Sequence, residues 1–186
     1  MTKEEKQNFE LHTERLVIKP LGIKYFDTVK EYSMDPDNAR LMYYLPFESE
    51  EETADFLKKC DEMWEDETCN TYECAVLLDG VHIGAVTLYE IENGMEFAWI
   101  INKRYWGKGY AIEAARAILD FAVKTLGVRH FIAMCDAENS ASYRVMEKLG
   151  MKLSKKNSGR KNRLSSPDEE RYELIYTYDV ETTYDI

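Results

Sequence analysis

Residues 96–126 read EFAWIINKRYWGKGYAIEAARAILDFAVKTL, and this stretch decides the fold. Its first part alternates apolar side chains with the period of two that is typical of a strand. Its last part, from Ala111 to Leu126, repeats apolar residues every three or four positions, which predicts an amphipathic helix. A short basic loop containing Gly107 and Gly109 joins the two. Such a loop predicts a phosphate site, because glycines let an anion reach the unpaired N–H groups and the positive dipole end of the helix.

This loop differs from the two common nucleotide-binding loops. The chain contains neither GxxxxGK[ST] nor the full GxGxxG of dinucleotide-binding folds. A glycine pair before a helix often forms only a tight turn, so the loop alone does not establish a function. A second segment, Asn139–Met151 with the sequence NSASYRVMEKLGM, narrows the interpretation.

Together, the two segments resemble the GNAT acetyltransferases, a superfamily in which a [Q/R]xxGx[G/A] loop binds the pyrophosphate of acetyl-CoA. The matching register runs from Trp106 to Ala111, with Trp106 where Gln or Arg is usual; a second register begins at Arg104. We prefer the first register because Ala111 then occupies the small-residue position at the start of the helix. The tryptophan, the sequence WGKGYA and the opening TERLVIKPL at 13–21 are similar to the ribosomal-protein N-terminal-alanine acetyltransferases of the RimJ/RimL type.

The resemblance covers roughly residues 11–180 and implies an α+β (mixed α/β) fold. The expected architecture is a splayed mixed sheet of about seven strands flanked by about four helices. Residues 1–186 are expected to form one domain, with frayed ends at 1–10 and 181–186. Polar residues 154–170 are expected to form a long mobile loop. The splay is expected between the strand that begins at Glu96 and the strand that begins at His130.

The resemblance also implies an acetyl-CoA site along the splay and the glycine loop. A strand end that is not paired to its neighbour can offer N–H and C=O groups to the peptide-like pantetheine arm. We place these groups at Trp99, Ile100 and Ile101. Asn139 is expected both to cap the following helix and to contact the cofactor. The full set of expected cofactor-binding residues is Trp99, Ile100, Ile101, Gly107, Lys108, Gly109, Tyr110, Ala111, Ile112, Asn139 and Ser142.

Composition limits the possible partners and surroundings of the chain. It is 45% hydrophobic and 32% charged, with a formal net charge of −11. This acidity argues against nucleic-acid binding and mildly favours a cationic substrate such as an amine, although solubility alone also explains it. Because no apolar run suits a membrane helix and the N-terminus lacks an apolar signal core, we expect a cytoplasmic protein without membrane attachment.

The four cysteines have no CxxC spacing and are expected to be free thiols rather than metal ligands or disulfides. They are Cys60, Cys69, Cys74 and Cys135. No bound metal is therefore expected. We expect the protein to be a monomer or a homodimer.

Acetyl transfer to an amine needs a neutral amine, a stabilised oxyanion and a thiolate that leaves. At neutral pH, deprotonation of a lysine amine with a pKa of about 10.4 costs about 4 kcal/mol, whereas an α-amine with a pKa of about 7.7–8.0 costs less than about 1.4 kcal/mol. A weak base is therefore sufficient for an α-amine. Glu96 on the central strand is the candidate base, and a surface glutamate at a strand start is the other interpretation.

The residue that assists the leaving thiolate is less evident. In many GNAT enzymes a tyrosine seven residues after the capping Asn protonates the sulfur. Met146 occupies that position here and cannot do so. The resemblance to the ribosomal-protein branch makes Ser142 the candidate that hydrogen-bonds the sulfur instead, with an ordinary helix-surface serine as the alternative.

The acceptor is expected to contact the aromatic connector that follows the first long helix. Tyr43, Tyr44 and Phe47 lie there and are the candidate substrate-binding residues, with packing against the core as the alternative. We predict an acetyl-CoA-dependent N-acetyltransferase that acts on a protein N-terminal α-amine by direct attack in a ternary complex. A polyamine or another small amine is the alternative acceptor, and a non-catalytic acyl-CoA-binding module is the alternative class.

Overall fold

A computed structural model describes residues 1–43 and 46–181. Its helices are α1 (Lys3–Gln7), α2 (Phe26–Ser33), α3 (Pro36–Ala39), α4 (Glu50–Glu65), α5 (Tyr110–Lys124) and α6 (Ser140–Lys148). Its strands are β1 (Leu11–His12), β2 (Leu16–Pro20), β3 (Tyr72–Leu78), β4 (Val81–Ile91), β5 (Gly94–Ile101), β6 (His130–Asp136), β7 (Lys152–Ser158) and β8 (Tyr172–Asp179). Short 3₁₀ turns at Ile23–Tyr25 and Lys103–Tyr105 precede α2 and the glycine loop.

The strands form one sheet in the order β1-β2-β3-β4-β5-β6-β8-β7. All neighbouring strands are antiparallel except β5 and β6, which are parallel. Asp79 and Gly80, with φ of 49° and 80°, form the two-residue turn between β3 and β4, as the Asp-Gly pair predicts. The mixed α/β fold predicted from the sequence is confirmed.

The splay between β5 and β6 is also present. These two strands are in register only at Met95 with Phe131 and at Glu96 with Ile132. Beyond Glu96, β5 continues beside β4 and β6 continues beside β8, so the two strands separate. The sheet therefore opens immediately after Glu96.

The two faces of the sheet are covered by different helices. The face that packs against α5 carries a core that includes Phe97, Ala115, Ile118 and Ala122, each of which is at most 1% exposed. The α2 and α4 face carries a second cluster that includes Val29, Leu57 and Ala75. Each large apolar side chain so buried contributes about 1.5–3 kcal/mol, which fixes both layers around the splay. Among the residues described, no helix has both the length and the apolar character that a membrane span requires.

The structure corrects the expected number of elements and the expected N-terminal end. The described residues hold eight strands and six α-helices, rather than about seven and about four. The lead-in at 1–10 folds into α1, whose N-terminus has a capping box between Thr2 and Glu5. The buried Lys6 ammonium donates to the carbonyl oxygens of Met63 at 3.1 Å and Asp66 at 2.7 Å, and also to that of Cys69. The sequence alone indicates a frayed end here, because the groups that bury Lys6 lie about sixty residues further along the chain. The other end predicted to be frayed includes residues 182–186, which lie outside the described residues.

The segment predicted as a mobile loop over 154–170 is corrected as well. Its first residues belong to β7, which pairs with β8 along the edge of the sheet. The remaining loop is held by hydrogen bonds from the Asn162 side chain to the carbonyl oxygens of Arg40 at 2.9 Å and Met42 at 2.7 Å. Arg163 forms a two-point ion pair with Glu52, with both N–O distances at 2.7 Å. Polar composition alone does not distinguish such an anchored loop from a free one.

Candidate active site

A cleft of about 1030 Å³ lies where β5 and β6 separate. The glycine loop and the first turn of α5 line one end, and the first turn of α6 lines the side formed by β6. The connector after α2 and the loop before β8 line the opposite end. Of the described residues predicted for the site, all but Lys108 line this cleft, and Tyr44 lies outside the described residues.

The glycine loop has the backbone that a phosphate cradle requires. Gly107 and Gly109 have φ of 75° and 82°, in the left-handed region that favours glycine, and α5 begins at Tyr110. A Cβ placed on Gly107 would meet no heavy atom within 4 Å, so open space lies where a bound group would approach. The indole N–H of Trp106 donates to the carbonyl oxygen of Ile101 at 2.7 Å. Tryptophan at this unusual position thus ties the loop to the end of β5.

The local positive charge that the sequence suggests for this loop is largely neutralised. The Lys103 ammonium lies 2.6 Å from the Asp35 carboxylate and 3.1 Å from that of Asp37. The Arg104 guanidinium lies 2.8 Å from the Glu31 carboxylate. The Lys108 ammonium lies 5.6 Å from the centre of the Tyr105 ring. An anion at this loop would therefore meet mainly backbone N–H groups and the positive dipole end of α5, rather than free cations.

Arg15 supports the glycine loop and was not predicted as a site residue. Its guanidinium donates to the carbonyl oxygen of Lys108 at 3.0 Å and pairs with the Glu113 carboxylate at 2.6 Å. It also lies 4.6 Å from the centre of the Tyr110 ring. The arginine in TERLVIKPL thus fixes the loop to the first turn of α5. The sequence contains this signal, but its partner Glu113 is 98 positions away.

On the unpaired side of β5, only alternate residues direct their backbone N–H and C=O groups toward the gap. The Asn102 N–H donates to the Ile83 carbonyl oxygen at 2.8 Å, so every second residue before it is directed toward β4. Trp99 and Ile101 consequently direct their backbone groups toward the gap. Ile100 contributes its side chain to the cleft but directs its backbone to β4, which corrects the prediction for this residue. The Ile101 carbonyl oxygen already accepts from Trp106, so Trp99 retains the best-placed free groups.

Glu96 lies at the last paired position before the strands separate. Burial raises the pKa of its carboxyl group, the nearby Glu173 carboxylate raises it further, and the Arg160 guanidinium opposes both effects. Among the described residues, no hydrogen-bond donor contributes to this shift. The carboxylate therefore keeps its lone pairs available for an incoming N–H group, as a general base requires.

Asn139 and Ser142 lie on the opposite wall. The Asn139 side chain accepts from the Ser142 N–H at 3.0 Å, which confirms the predicted helix cap. Burial raises the pKa of the Cys135 thiol to about 11, and the smaller effects of the Arg160 guanidinium and the Ser142 hydroxyl, which lower it, do not offset this. Cys135 is thus a neutral thiol at ordinary pH, unsuited to act as an acyl-carrying nucleophile. Met146 is 1% exposed and packs in the core, away from any catalytic role.

The end of the cleft opposite the glycine loop is assembled from two distant segments. Tyr43 and Phe47 both line it; the Arg160 guanidinium lies 5.2 Å from the centre of the Tyr43 ring, and Phe47 packs against Phe56. Arg160 is 8% exposed and pairs with Glu173. These contacts bring the loop before β8 into the site, a role that its polar sequence does not suggest.

Comparison with known proteins gives the class of this chain. The GNAT acetyltransferase domain model matches residues 15–152, so the chain belongs to the GNAT family of acetyltransferases. It is 35% identical over 146 residues to the uncharacterized N-acetyltransferase YnaD of Bacillus subtilis (strain 168), an alignment that covers 75% of this chain and 81% of the relative. The predicted enzyme class is confirmed. Enzymes of this family use acetyl-CoA and act on amines.

Solved structures agree in fold. An acetyltransferase of the GNAT family from Bacillus anthracis has a TM-score of 0.75 at 29% identity, over 92% of this chain and 98% of that one. RimL, a ribosomal L7/L12 alpha-N-protein acetyltransferase solved in complex with coenzyme A, has a TM-score of 0.77 at 12% identity, over 92% and 98% of the two chains. At that identity the likeness to RimL shows the fold alone.

Proposed function

We propose that this chain transfers the acetyl group of acetyl-CoA to a primary amine, with the α-amine of a protein N-terminus as the preferred acceptor. The main observation in support of this function is that the sheet opens at Glu96 and that one continuous cleft joins this gap to the glycine loop. A long cofactor can occupy the gap from the loop end while an acceptor enters from the connector end. Both reactants then meet beside the same carboxylate.

The described residues fit acetyl-CoA along the whole cleft. The pyrophosphate would lie at Gly107, Gly109 and the first turn of α5, because the first N–H groups of a helix have no intrahelical partner and the two glycines carry no Cβ. The pantetheine arm would follow the free backbone of Trp99. Its sulfur would then end near Ser142, because this residue lines the far wall of the gap.

The reaction follows from these positions. A neutral amine attacks the thioester carbonyl carbon, a C–N bond forms, and the amine proton passes to the Glu96 carboxylate directly or through a water molecule. The C–S bond then breaks, and the Ser142 hydroxyl stabilises the departing thiolate. Among the described residues, the inner part of the cleft is lined by Glu73, Glu96 and Glu173 and by the Arg160 guanidinium, whereas the other cations that line it are exposed: Arg40, Arg144 and Lys148. The inner part therefore favours a cationic acceptor over an anionic one.

A choice between two amines tests this function. A peptide with a free N-terminus should be acetylated faster than the same peptide with a blocked N-terminus and one lysine, because the lysine amine costs about 4 kcal/mol to deprotonate. The rate on the α-amine should rise with pH and level off near its pKa of about 7.7–8.0. Thiol release from acetyl-CoA measures both. A consistent preference for the lysine peptide would contradict the proposed acceptor.

Ser142→Ala should lower turnover by roughly 10-fold to 100-fold and leave cofactor affinity nearly intact. One hydrogen bond to a charged group contributes about 1.5–3 kcal/mol, and the sulfur becomes charged only as it leaves. Single-turnover rates together with calorimetric binding of acetyl-CoA separate the two quantities. Ser140→Ala, on the same turn but exposed, is the matched control. Equal rates for the Ser142 variant and wild type would remove Ser142 from the mechanism.

A further inference from the structure

One buried carboxylate that lines the cleft takes no part in the transfer step above. Glu73 on β3 is 4% exposed. The Thr87 hydroxyl donates to one of its oxygens at 2.6 Å, and the Tyr89 hydroxyl donates to the other at 2.8 Å. Both contacts suit an ionised carboxylate, which has about four acceptor positions, so positions remain for further donors.

The described part of the protein holds no counter-ion for Glu73. Among residues 1–43 and 46–181, no lysine, arginine or histidine forms an ion pair with it, in contrast to Glu173 and Asp136, which pair with Arg160 and Arg171. An unpaired buried carboxylate is costly, because two hydroxyl donors replace only part of its hydration. Burial raises the pKa of Glu73 accordingly. A cation that enters the cleft would recover this cost.

A second, independent feature of the cleft indicates a ligand. The Ser33 side chain on α2 lines the same cleft and is 1% exposed, and its hydroxyl oxygen has no hydrogen-bond partner among residues 1–43 and 46–181. Buried polar atoms in native proteins are rarely left unpaired. A ligand with several N–H donors would satisfy both the Ser33 hydroxyl and the Glu73 carboxylate.

Strand register places Glu73 on the same face of the sheet as Glu96. Glu73 lies opposite Thr87, which lies opposite Ala98, two residues along β5 from Glu96. Tyr89 lies opposite Glu96 and contacts Glu73, so it stands between the two carboxylates. Spacings of about 4.8 Å between strands and about 3.4 Å per residue put the Cα atoms of the two glutamates about 12 Å apart. Their side chains therefore reach within the span of a small extended molecule.

We propose that Glu73, with Thr87, Tyr89 and Ser33, binds a second ammonium group of the acceptor while its first amine reacts beside Glu96. This inference rests on the proposed function and narrows its acceptor to an amine that carries a second cationic group, a class that includes a peptide α-amine with a lysine or arginine side chain nearby.

Diamines and monoamines of equal length test the proposal. The wild-type enzyme is assayed by thiol release with acetyl-CoA and a series of α,ω-diaminoalkanes, each compared with the n-alkylamine of the same carbon number. At the best length, kcat/KM for the diamine should exceed that for the monoamine by at least about tenfold, as expected for a hydrogen-bonded ion pair. Glu73→Gln, which keeps the shape of the side chain, should bring this ratio close to one.

Glu138→Gln is the matched control. Glu138 is an exposed carboxylate on the rim of the same cleft. Its replacement therefore measures how far a negative charge on the rim attracts dications, while the residues around Glu73 stay unchanged. It should preserve most of the diamine preference. A similar loss of preference in both variants would overturn the proposal, and so would a preference that survives Glu73→Gln.

Two measurements keep this inference separate from the proposed function. Calorimetric binding of a diamine and its matched monoamine to the wild-type protein with coenzyme A needs no variant and no turnover; equal affinities at every length would overturn the Glu73 site. Thiol release with any amine or peptide tests the transfer itself. Transfer to monoamines and peptides without diamine preference would refute only the Glu73 site, whereas tight diamine binding without any transfer would refute only the proposed function.

Discussion

Gly107→Asp should abolish acetyl-CoA binding while the protein remains folded. The new carboxylate would stand in the open space above the loop, where the pyrophosphate is proposed to bind. Two unit charges of like sign about 4 Å apart near a protein surface repel by about 4 kcal/mol, which corresponds to a loss of affinity of about a thousandfold. Calorimetric titration with acetyl-CoA measures the effect, and thermal unfolding checks the fold.

Gly127→Asp is a close control for this variant. Gly127 follows α5 with φ of 71°, against 75° for Gly107, and a Cβ at either position meets nothing within 4 Å. Aspartate tolerates this left-handed backbone better than most residues, at a cost of roughly 1–2 kcal/mol, so both variants should fold. The control also places its charge at the unfavourable C-terminal end of the helix. If Gly107→Asp binds acetyl-CoA as tightly as Gly127→Asp does, the glycine loop is not the phosphate site.

Glu96→Gln should lower kcat for acetyl transfer by roughly 10²-fold to 10⁴-fold, the usual contribution of a general base. Acetyl-CoA affinity should change little, because the proposed cofactor contacts lie on the loop and on Trp99. The rate of the variant should rise more steeply with pH than that of the wild type, since only amine that is already neutral would react. Single-turnover rates across a pH series measure both effects.

Glu92→Gln is the control for Glu96, because Glu92 is an exposed carboxylate in the turn before the same strand. It should behave as wild type. A pH profile of Glu96→Gln that superimposes on the wild-type profile would exclude Glu96 as the proton acceptor, even if the absolute rate fell.

The pH dependence of stability tests the raised pKa of Glu96 without an activity assay. Its pKa is raised in the folded protein, so the folded state holds the proton more tightly than the unfolded chain, where the pKa is about 4.3. The wild type therefore loses stability relative to Glu96→Gln as the pH rises from about 4.3 through the folded pKa. Denaturant titrations should show that the free energy of unfolding of the variant, relative to that of the wild type, is higher at neutral pH than at pH 4. An equal difference at both pH values would mean that burial does not perturb this carboxylate.

Local pattern was sufficient for the helix and strand that frame the site. The three- and four-residue spacing from Ala111 onward predicts a one-sided helix, and in the structure Ala115, Ile118 and Ala122 are fully buried. The Asp79-Gly80 turn and the Asn139 cap were likewise predictable, because each depends on residues within a few positions of one another. Resemblance to the GNAT family added the splay, which no local pattern contains.

The roles of several charged residues were decided by partners that are distant in the sequence. Lys103 and Arg104 look like phosphate ligands until the fold brings Asp35 and Glu31 against them. Arg15 becomes a support of the glycine loop only through Glu113, and Lys6 becomes a buried anchor only through carbonyl groups at the end of α4.

Glu73 shows the same limit at the acceptor end of the cleft. In the sequence it is one glutamate in an apolar strand, YECAVLL. Its burial, its two hydroxyl donors and the absence of a counter-ion among the described residues appear only when β3, β4 and α2 are packed together. The sequence by itself thus predicted the family, the helix and strand that frame the site and the backbone conformation of the glycine loop, because these depend on residues that are close together in the chain. The charge balance of the cleft was decided by the tertiary structure, because electrostatic interactions depend on distance in space and on burial rather than on separation along the chain.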